Sequence, residues 1–490
     1  MTARLDQLLQ GIAETPGVGD IVVSGLTLDS RQVRPGDAFF ALRGTREHGI
    51  AFARGAVERG ARVVLAEAPV AHVEDIAVPV LWVDGLHGKV GEIASRFFGR
   101  PSESLRMIGI TGTNGKTSTV QLLAQALEHL GHCAATIGTL GAGLHGRLNE
   151  GERTTPDAIN VQGLLASFRD EGATHVAMEV SSHALEQGRV AAVAFDVAAF
   201  TNLTRDHLDY HGSMDAYGEA KAKLFTWPTL SAAAINVDDA FGHALSQRLP
   251  EGVQALRLST EDHTEADVRA SHIVTSSEGL AFDLQTPWGA RTVHSRLLGR
   301  FNVANLLAVI ACLGALGEAF DRIVDVVERL EPINGRMNRL GGVSGLPLVV
   351  VDYAHTPDAL EQALTALRAH CEGQLICVFG CGGERDAGKR PQMGAIAERL
   401  ADRIIVTDDN PRGEDGDVIV AQIVAGLRQP DMANVERDRA KAIEQALFSA
   451  QPGDVVLIAG KGHETYQEGA HGKRPFDDLA VARQALEVRA

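Results

Sequence analysis

The sequence predicts an α/β protein of three consecutive domains, each built on a largely parallel sheet. Three observations carry that expectation. Short apolar runs alternate with amphipathic stretches almost from end to end. Apolar strands separated by helices read as a parallel sheet covered on both faces. Pro and Ser cluster in GRPSESLR, residues 99–106, just before a new strand. EPINGRMNR, residues 331–339, closes a helix-like stretch with a Pro and a Gly, the residues that punctuate regular structure. Domains are therefore expected at 1–102, 103–335 and 336–490.

The strands follow in order. RVVLAEAP at 62–69 and VPVLWVDG at 78–85 belong to the first domain. LRMIGITG at 105–112, THVAMEVSS at 174–182, VAAFTNL at 197–203 and SAAAINVDD at 231–239 belong to the second. LPLVVVDYAH, QLICVFGCGG, RIIVTDDN and DVVLIAGKGHE, between 346 and 464, repeat the pattern in the third.

Composition bounds the function. The chain has 490 residues, 45% hydrophobic and 22% charged, with a net charge of −17. That charge argues against a nucleic-acid backbone as partner. It leaves room for a small anion, which local arginines and backbone N–H groups can bind. No apolar run approaches the roughly 20 residues of a membrane span. The N-terminal stretch lacks the apolar core of a signal peptide. The five cysteines, Cys133, Cys312, Cys371, Cys377 and Cys381, form no CxxC pair. They read as reduced thiols of a cytoplasmic protein.

GITGTNGKTST, residues 109–119, lies between a strand and a helix that shows Leu122, Leu123, Ala126, Leu127 and Leu130 on one face. Gly131 is its expected stop. Glycines let backbone N–H groups turn toward phosphate oxygens, and the helix N-terminus adds its positive end. Lys116 can reach terminal phosphates and Thr117 can ligate Mg²⁺. Ile110 stands where the standard pattern has Gly, so the loop is a variant.

Glu179 is expected at the end of its strand, where α/β sheets place ligands. Taken singly it reads as a solvated or helix-capping residue. TNLTRDHLDYHGSMDAYGEAKAKLF, residues 201–225, carries more Asn, Arg, His, Asp and Lys than packing needs. His207 is a candidate metal ligand there. Lys221, taken alone, reads as a surface charge.

Together, GTNGKT, MEVSSHALEQGRV and TNLTRDHLDYHG resemble the Mur ligase family, ATP-dependent enzymes that build the peptidoglycan stem peptide. The resemblance continues through LLGRFNVANLLA, NGRMNR, DYAHTPDAL, FGCGGERDAGKRPQMG and AGKGHETYQ. It covers nearly the whole chain. It implies an N-terminal UDP-binding domain, a central ATP-binding domain and a Rossmann-like C-terminal domain that binds the amino acid. The order and spacing of the motifs resemble the member that adds the third residue.

The resemblance implies a reaction. ATP phosphorylates a carboxylate of UDP-N-acetylmuramoyl-L-Ala-D-Glu, and an amine then attacks the acyl phosphate. Both first-step partners are anionic, so metal ions and cations must offset their repulsion. By resemblance, the loop Gly112, Thr113, Asn114, Gly115, Lys116, Thr117 and Ser118 holds the phosphates. Thr117 and Glu179 share one Mg²⁺, and His207 holds a second. Lys221 matches the family lysine that reacts with CO₂ to become a carbamate (N6-carboxylysine), an anion able to support a metal. Asn302, Arg336 and Asp352 would embrace the adenosine and γ-phosphate. Domain closure is expected to exclude water.

The UDP end resembles the family in SGLTLDSRQVRPGDAFFAL, with Leu28 and Ser30, and in His48. Thr154, Thr155, Ser181, Gln187 and Arg189 would hold the peptide. RTTPD alone reads as a turn before a helix. A monomer is expected, with neither nucleic acid nor membrane as partner.

The amino-acid site turns on TDDNPRGED, residues 407–415, which sets one arginine among four acids. Meso-diaminopimelate carries a carboxylate and an ammonium at its far end; L-lysine carries only the ammonium. A pocket for the first needs a fixed bidentate cation. Pro411 sets the turn that presents Asn410 and Arg412. By resemblance, Asp409 belongs to the same motif. Arg385 is a second candidate for the carboxylate. Glu464 and the Gly460 carbonyl are candidates for the ammonium. The alternatives are the same ligase using L-lysine, a folylpolyglutamate-synthase-like ligase, and a non-catalytic binding protein on the same scaffold.

Overall fold

The structure is a computed structural model that describes all residues except 45–46, 69–75, 152, 262, 334, 336, 344 and 490. The chain divides into two compact units. One comprises Met1–Leu258 with Ala311–Glu318, the other Ser259–Ile310 with Ala319–Ala490.

The first unit holds two larger sheets beside a two-stranded pairing of Ala3–Arg4 with Val22–Val23. The smaller has four parallel strands in the order Gly25–Thr27, Asp37–Ala41, Val63–Ala68, Val80–Asp84. Successive side chains of a strand point to opposite faces, and the sequence uses that period. Phe40, Val63 and Leu65 join one core with helix Leu86–Phe97. Phe39, Val64 and Ala66 join another with helix Ala53–Glu58.

The larger sheet centres on Arg106–Thr111. His175–Glu179 and then Ala134–Gly138 lie on one side of it. Val197–Phe200, Ala232–Asn236 and Gln254–Ser259 lie on the other. All these neighbours pair parallel. An antiparallel hairpin, Gly141–Leu144 with Arg147–Asn149, closes the edge. Strand order reverses about Arg106–Thr111, so the crevice beyond Thr111, Glu179 and Phe200 is where such a sheet receives a ligand.

The second unit has a six-stranded sheet in the order Asn338–Gly341, Leu348–Asp352, Val455–Ala459, Leu375–Phe379, Arg403–Val406, Ala433–Val435. All pairs are parallel except the first. The four strands named in the sequence are its centre, and their apolar runs of three to five residues are buried on both faces. Leu348, Val350, Val455 and Leu457 face one core. Val349, Val351, Val456 and Ile458 face the other.

One part departs from the expected parallel theme. Val268–Ser276, Gly279–Thr286 and Gly289–Ser295 form an antiparallel meander. Its second strand alternates buried and exposed residues from Phe282 to Thr286. One face is solvated, so the apolar run that marks a doubly covered strand is missing. No helix among the described residues is long and apolar enough to cross a membrane. All five cysteines are free thiols.

Candidate functional site

The phosphate-loop residues lie where the sequence puts them, between strand Arg106–Thr111 and helix Lys116–His129. Gly112 has φ +144° and Gly115 +86°, conformations that favour glycine. A Cβ on Gly112 would lie 1.9 Å from the Thr201 hydroxyl. That crowding has a purpose visible in the bonds. Thr201 Oγ1 donates to the Asn114 carbonyl at 2.6 Å, and Asn202 Oδ1 accepts from Asn114 N at 3.0 Å. Thr113 N donates to the Asn202 carbonyl at 2.8 Å. The end of the neighbouring strand thus grips the loop from the side.

Lys116 Nζ donates to the carbonyls of Gly112 (2.9 Å) and Thr113 (2.8 Å). Burial lowers its pKa, and Glu179 and Asp206 pull the other way. Lys221 Nζ donates to the same Gly112 carbonyl at 2.8 Å. Its side chain is 1% exposed, and its Nζ lies 4.2 Å from the centre of the Tyr217 ring. Burial pushes the amine down to about 6; the Lys116 cation adds to that, and Asp206 opposes it. A surface charge is therefore the wrong picture of Lys221. It is a buried amine that is free base at neutral pH, because its charged form lacks solvation.

Glu179 ends its strand, 1% exposed. Its carboxylate accepts from Thr139 N at 2.8 Å and from Thr139 Oγ1 at 3.2 Å. Gly138 makes room for it, since a Cβ there would meet Glu179 Oε1 at 2.3 Å. His207 has φ +51° and precedes the short helix Leu208–His211. Its ring is half exposed and lies 4.9 Å from that of His183.

The donor set suits Mg²⁺ of one kind. A magnesium ion bound with nucleotide takes one or two carboxylates, a hydroxyl and phosphate oxygens. Thr117 and the buried Glu179 carboxylate offer hard oxygens at the loop. They do not form a closed protein cage. Among the described residues the one cluster of three acidic or His ligand atoms is Asp238, Glu261 and His263, away from these residues in sequence.

The peptide candidates form one connected network. Thr155 Oγ1 donates to the Glu179 carbonyl (2.8 Å) and accepts from Ser181 N (3.2 Å). Arg189 donates to the Thr155 carbonyl (2.9 Å) and to Gln187 Oε1 (2.5 Å). Thr154 and Thr139 share a hydroxyl–hydroxyl bond of 3.0 Å. Ser181 caps the helix Ser182–Glu186. Leu28 and Ser30 are half-buried in the loop after Gly25–Thr27. Both His48 nitrogens are engaged, Nε2 with the Glu67 carbonyl at 3.0 Å and Nδ1 with Ile50 N at 3.1 Å. His48 thereby caps a 3₁₀ turn.

In the second unit, Asn302 and Asn305 lie side by side on helix Phe301–Ala315, joined by a 2.9 Å bond. Asp352 ends its strand and accepts from Met337 N and Ala354 N at 2.8 and 2.9 Å. Arg336 lies outside the described residues.

Arg412 has φ +54°. Its Nε bonds Glu468 at 3.1 Å and its Nη1 donates to the Gly383 carbonyl at 2.8 Å. Nη2 takes no partner among the described residues. Arg385 is exposed and makes no hydrogen bond or ion pair among them. Both border Gly382: a Cβ there would meet Arg412 Nη1 at 2.9 Å and Arg385 Cγ at 3.7 Å. Asn410 Nδ2 donates to Glu464 Oε2 at 2.8 Å, and Asn410 Oδ1 accepts from Lys461 at 3.0 Å. Lys461, 0% exposed, also pairs Glu464 Oε2 at 3.0 Å. Pro411 N-terminally flanks Arg412 in the same turn. Burial raises the Asp409 carboxyl's pKa, with Arg439 and Lys461 opposing. Asp409 Oδ2 lies 2.5 Å from where a Gly460 Cβ would be, so only glycine fits beside it.

Sequence reasoning passed over Thr201, Asn202, Thr139, Tyr217 and Lys461. The first two sit in a stretch singled out for its polarity, and Lys461 sits in AGKGHE. Tyr217 sits in that polar stretch too, one turn before Lys221 on helix Met214–Ala222, whereas Thr139 acts through contacts across the sheet and carries no local signal.

Three family models match the chain. The Mur ligase family, catalytic domain matches residues 22–98, the Mur ligase middle domain 110–313, and the Mur ligase, glutamate ligase domain 335–462. A protein of Xanthomonas campestris pv. campestris strain 8004, named UDP-N-acetylmuramoyl-L-alanyl-D-glutamate--2,6-diaminopimelate ligase, is 58% identical; the match covers 99% of this chain and 97% of that one. A protein of the same name from Xylella fastidiosa strain Temecula1 is 54% identical, over 98% and 97%. A solved structure of a ligase of that name is 37% identical with a TM-score of 0.80, and covers 100% of this chain and 99% of its own.

Proposed function

This chain belongs to the Mur ligase family, and from that premise we propose that it is the ATP-dependent ligase joining meso-diaminopimelate to UDP-N-acetylmuramoyl-L-alanyl-D-glutamate. The reaction belongs to cytoplasmic synthesis of peptidoglycan precursors. The D-Glu carboxylate attacks the γ-phosphorus of ATP and ADP leaves. The diaminopimelate amine attacks the acyl carbon, a C–N bond forms, phosphate departs and the amine gives up a proton.

Each half of the chain has its task. Lys116 and the loop N–H groups stabilise charge on the terminal phosphates, as preorganised cations and dipoles do. Thr117 and Glu179 would hold Mg²⁺, which when bound offsets the repulsion between carboxylate and nucleotide. His207 would hold a second ion. Lys221, as free base, adds to dissolved CO₂ and releases a proton, so that a buried amine becomes a buried carboxylate. Its low pKa supports this, because an ammonium has no lone pair for the addition. Thr154, Thr155, Ser181, Gln187 and Arg189 present the peptide carboxylates. Leu28, Ser30 and His48 serve the UDP end. Asn302, Arg336 and Asp352 serve the adenosine end.

The observation that carries the choice of amino acid is the arginine pair. Among the described residues Arg385 is unpaired and Arg412 keeps Nη2 without a partner, and both border Gly382. Two uncommitted guanidinium edges suit a far carboxylate, which diaminopimelate has and L-lysine lacks. Glu464 has Oε2 committed to Lys461 and Asn410, and its Oε1 suits the far ammonium. The test is ADP release with the UDP-dipeptide and ATP, adding meso-diaminopimelate or L-lysine separately. Turnover with diaminopimelate alone is expected. Turnover with L-lysine would overturn the assignment of the arginines.

A further inference from the structure

Arg390 is a buried cation that the chemistry above does not use. It stands on helix Lys389–Leu400 with 1% of its side chain exposed. A buried arginine is costly unless its donors are met. Arg390 Nη2 donates to the Gly382 carbonyl at 3.1 Å. Nη1 pairs Glu414 Oε2 at 2.9 Å and Gln422 Oε1 at 2.6 Å. Glu414 in turn accepts the backbone N–H of Glu384 on Oε1. The guanidinium therefore reaches Gly382 directly, and through Glu414 it reaches Glu384.

Those contacts bind two loops that carry Arg385 and Arg412. The loops are laced by Gly383 N to the Asn410 carbonyl (2.9 Å) and by Arg412 Nη1 to the Gly383 carbonyl (2.8 Å). Their approach needs glycine: a Cβ on Gly383 would lie 1.9 Å from the Pro411 carbonyl oxygen. Two non-glycine residues, Glu384 and Arg412, sit at φ +54°. Such conformations cost about 1–2 kcal/mol each and persist where surrounding bonds hold them. Glu384 is held by Glu414, and Arg412 by its N–H to the Glu468 carbonyl at 3.0 Å.

We infer that Arg390 and Glu414 are positioning residues for the amino-acid site, a fastening that sets the spacing of Arg385 and Arg412 for the far carboxylate of the substrate. The inference rests on the diaminopimelate reading. Neither residue touches the substrate. Loosening them changes recognition of the amino acid, not of nucleotide.

Three variants of the full-length enzyme test it: R390M, R390K and E414A, each checked by thermal melting. Two readouts are taken. KM is measured for diaminopimelate, ATP and the UDP-dipeptide. Amide hydrogen exchange is followed at residues 382–385, which needs no substrate. R390M and E414A are expected to raise KM for diaminopimelate at least tenfold, with the other two KM values within twofold. Exchange at 382–385 should rise tenfold or more. R390K should recover part of both effects. If R390M does not fold, E414A carries the test, since Glu414 is one-third exposed. Faster exchange with an unchanged KM for diaminopimelate overturns the positioning role. An equal rise in all three KM values also overturns it, by making the effect global. Absence of diaminopimelate turnover in the wild type sinks the functional reading itself, and this inference with it, whatever the exchange shows.

Discussion

Arg412→Lys isolates the head group. Arg412 sits at φ +54°, and a lysine meets the same backbone strain, so the exchange leaves the turn's energetics nearly equal. The planar fork is what changes. Its Nε and Nη1 are committed to Glu468 and Gly383, and Nη2 remains for a carboxylate. A lysine ammonium has no fork with which to keep both anchors and present a further N–H at a fixed angle. A hydrogen bond to a charged group is worth about 1.5–3 kcal/mol. At about 1.4 kcal/mol per decade, kcat/KM for diaminopimelate should fall about 10- to 100-fold. KM for ATP should hold within twofold. The assay is coupled ADP release, titrating one substrate at a time. Equal loss for ATP and diaminopimelate would refute the reasoning, because Arg412 would then be a structural residue of the C-terminal sheet.

Lys116→Ala should lower ATP-dependent turnover by at least about 100-fold, as for loss of a preorganised charge donor; ordinary turnover in steady-state kinetics would remove the phosphate-loop assignment. The Lys221 amine, with its pKa pushed down to about 6, should take up ¹³CO₂ above that pH and give a carbamate ¹³C resonance. The resonance should fade below pH 6 and be missing in Lys221→Arg; a signal unchanged in that variant would place the carbamate elsewhere. His175 is buried and held down to about 4, chiefly by desolvation and then by His132. Between pH 6.5 and 4 the unfolded chain takes a proton that the folded chain refuses. Stability is therefore lost as pH falls through that window, by up to about 3 kcal/mol for this group. His175→Gln should flatten that part of the curve in denaturant melts, and a wild-type-like acid slope would exclude His175 as its source.

The order of strands, the phosphate loop and the turn at Arg412 were legible in the sequence because each rests on neighbours in the chain. Glycines at 112 and 115, the Leu122–Leu127 stripe and Pro411 act over a few residues, so a linear reading finds them. The buried state of Lys221 was not legible. Its spacing on a helix is that of a surface lysine, and only the packing of that helix, with Tyr217 one turn back, against the Gly112 carbonyl removes the water that would keep it charged. The grip of Thr201 and Asn202 on the loop arises because two strands distant in sequence lie side by side. Arg390 reads as one more basic residue in GKRP, yet the fold buries it and gives it Glu414, 24 residues on. The half-solvated meander after Val268 escaped for the opposite reason, since exposed strands need no continuous apolar run. Sequence determines what short stretches can do by backbone geometry and side-chain type. Solvation and long-range partners set a group's charge and position, and those exist only once the chain has folded back on itself.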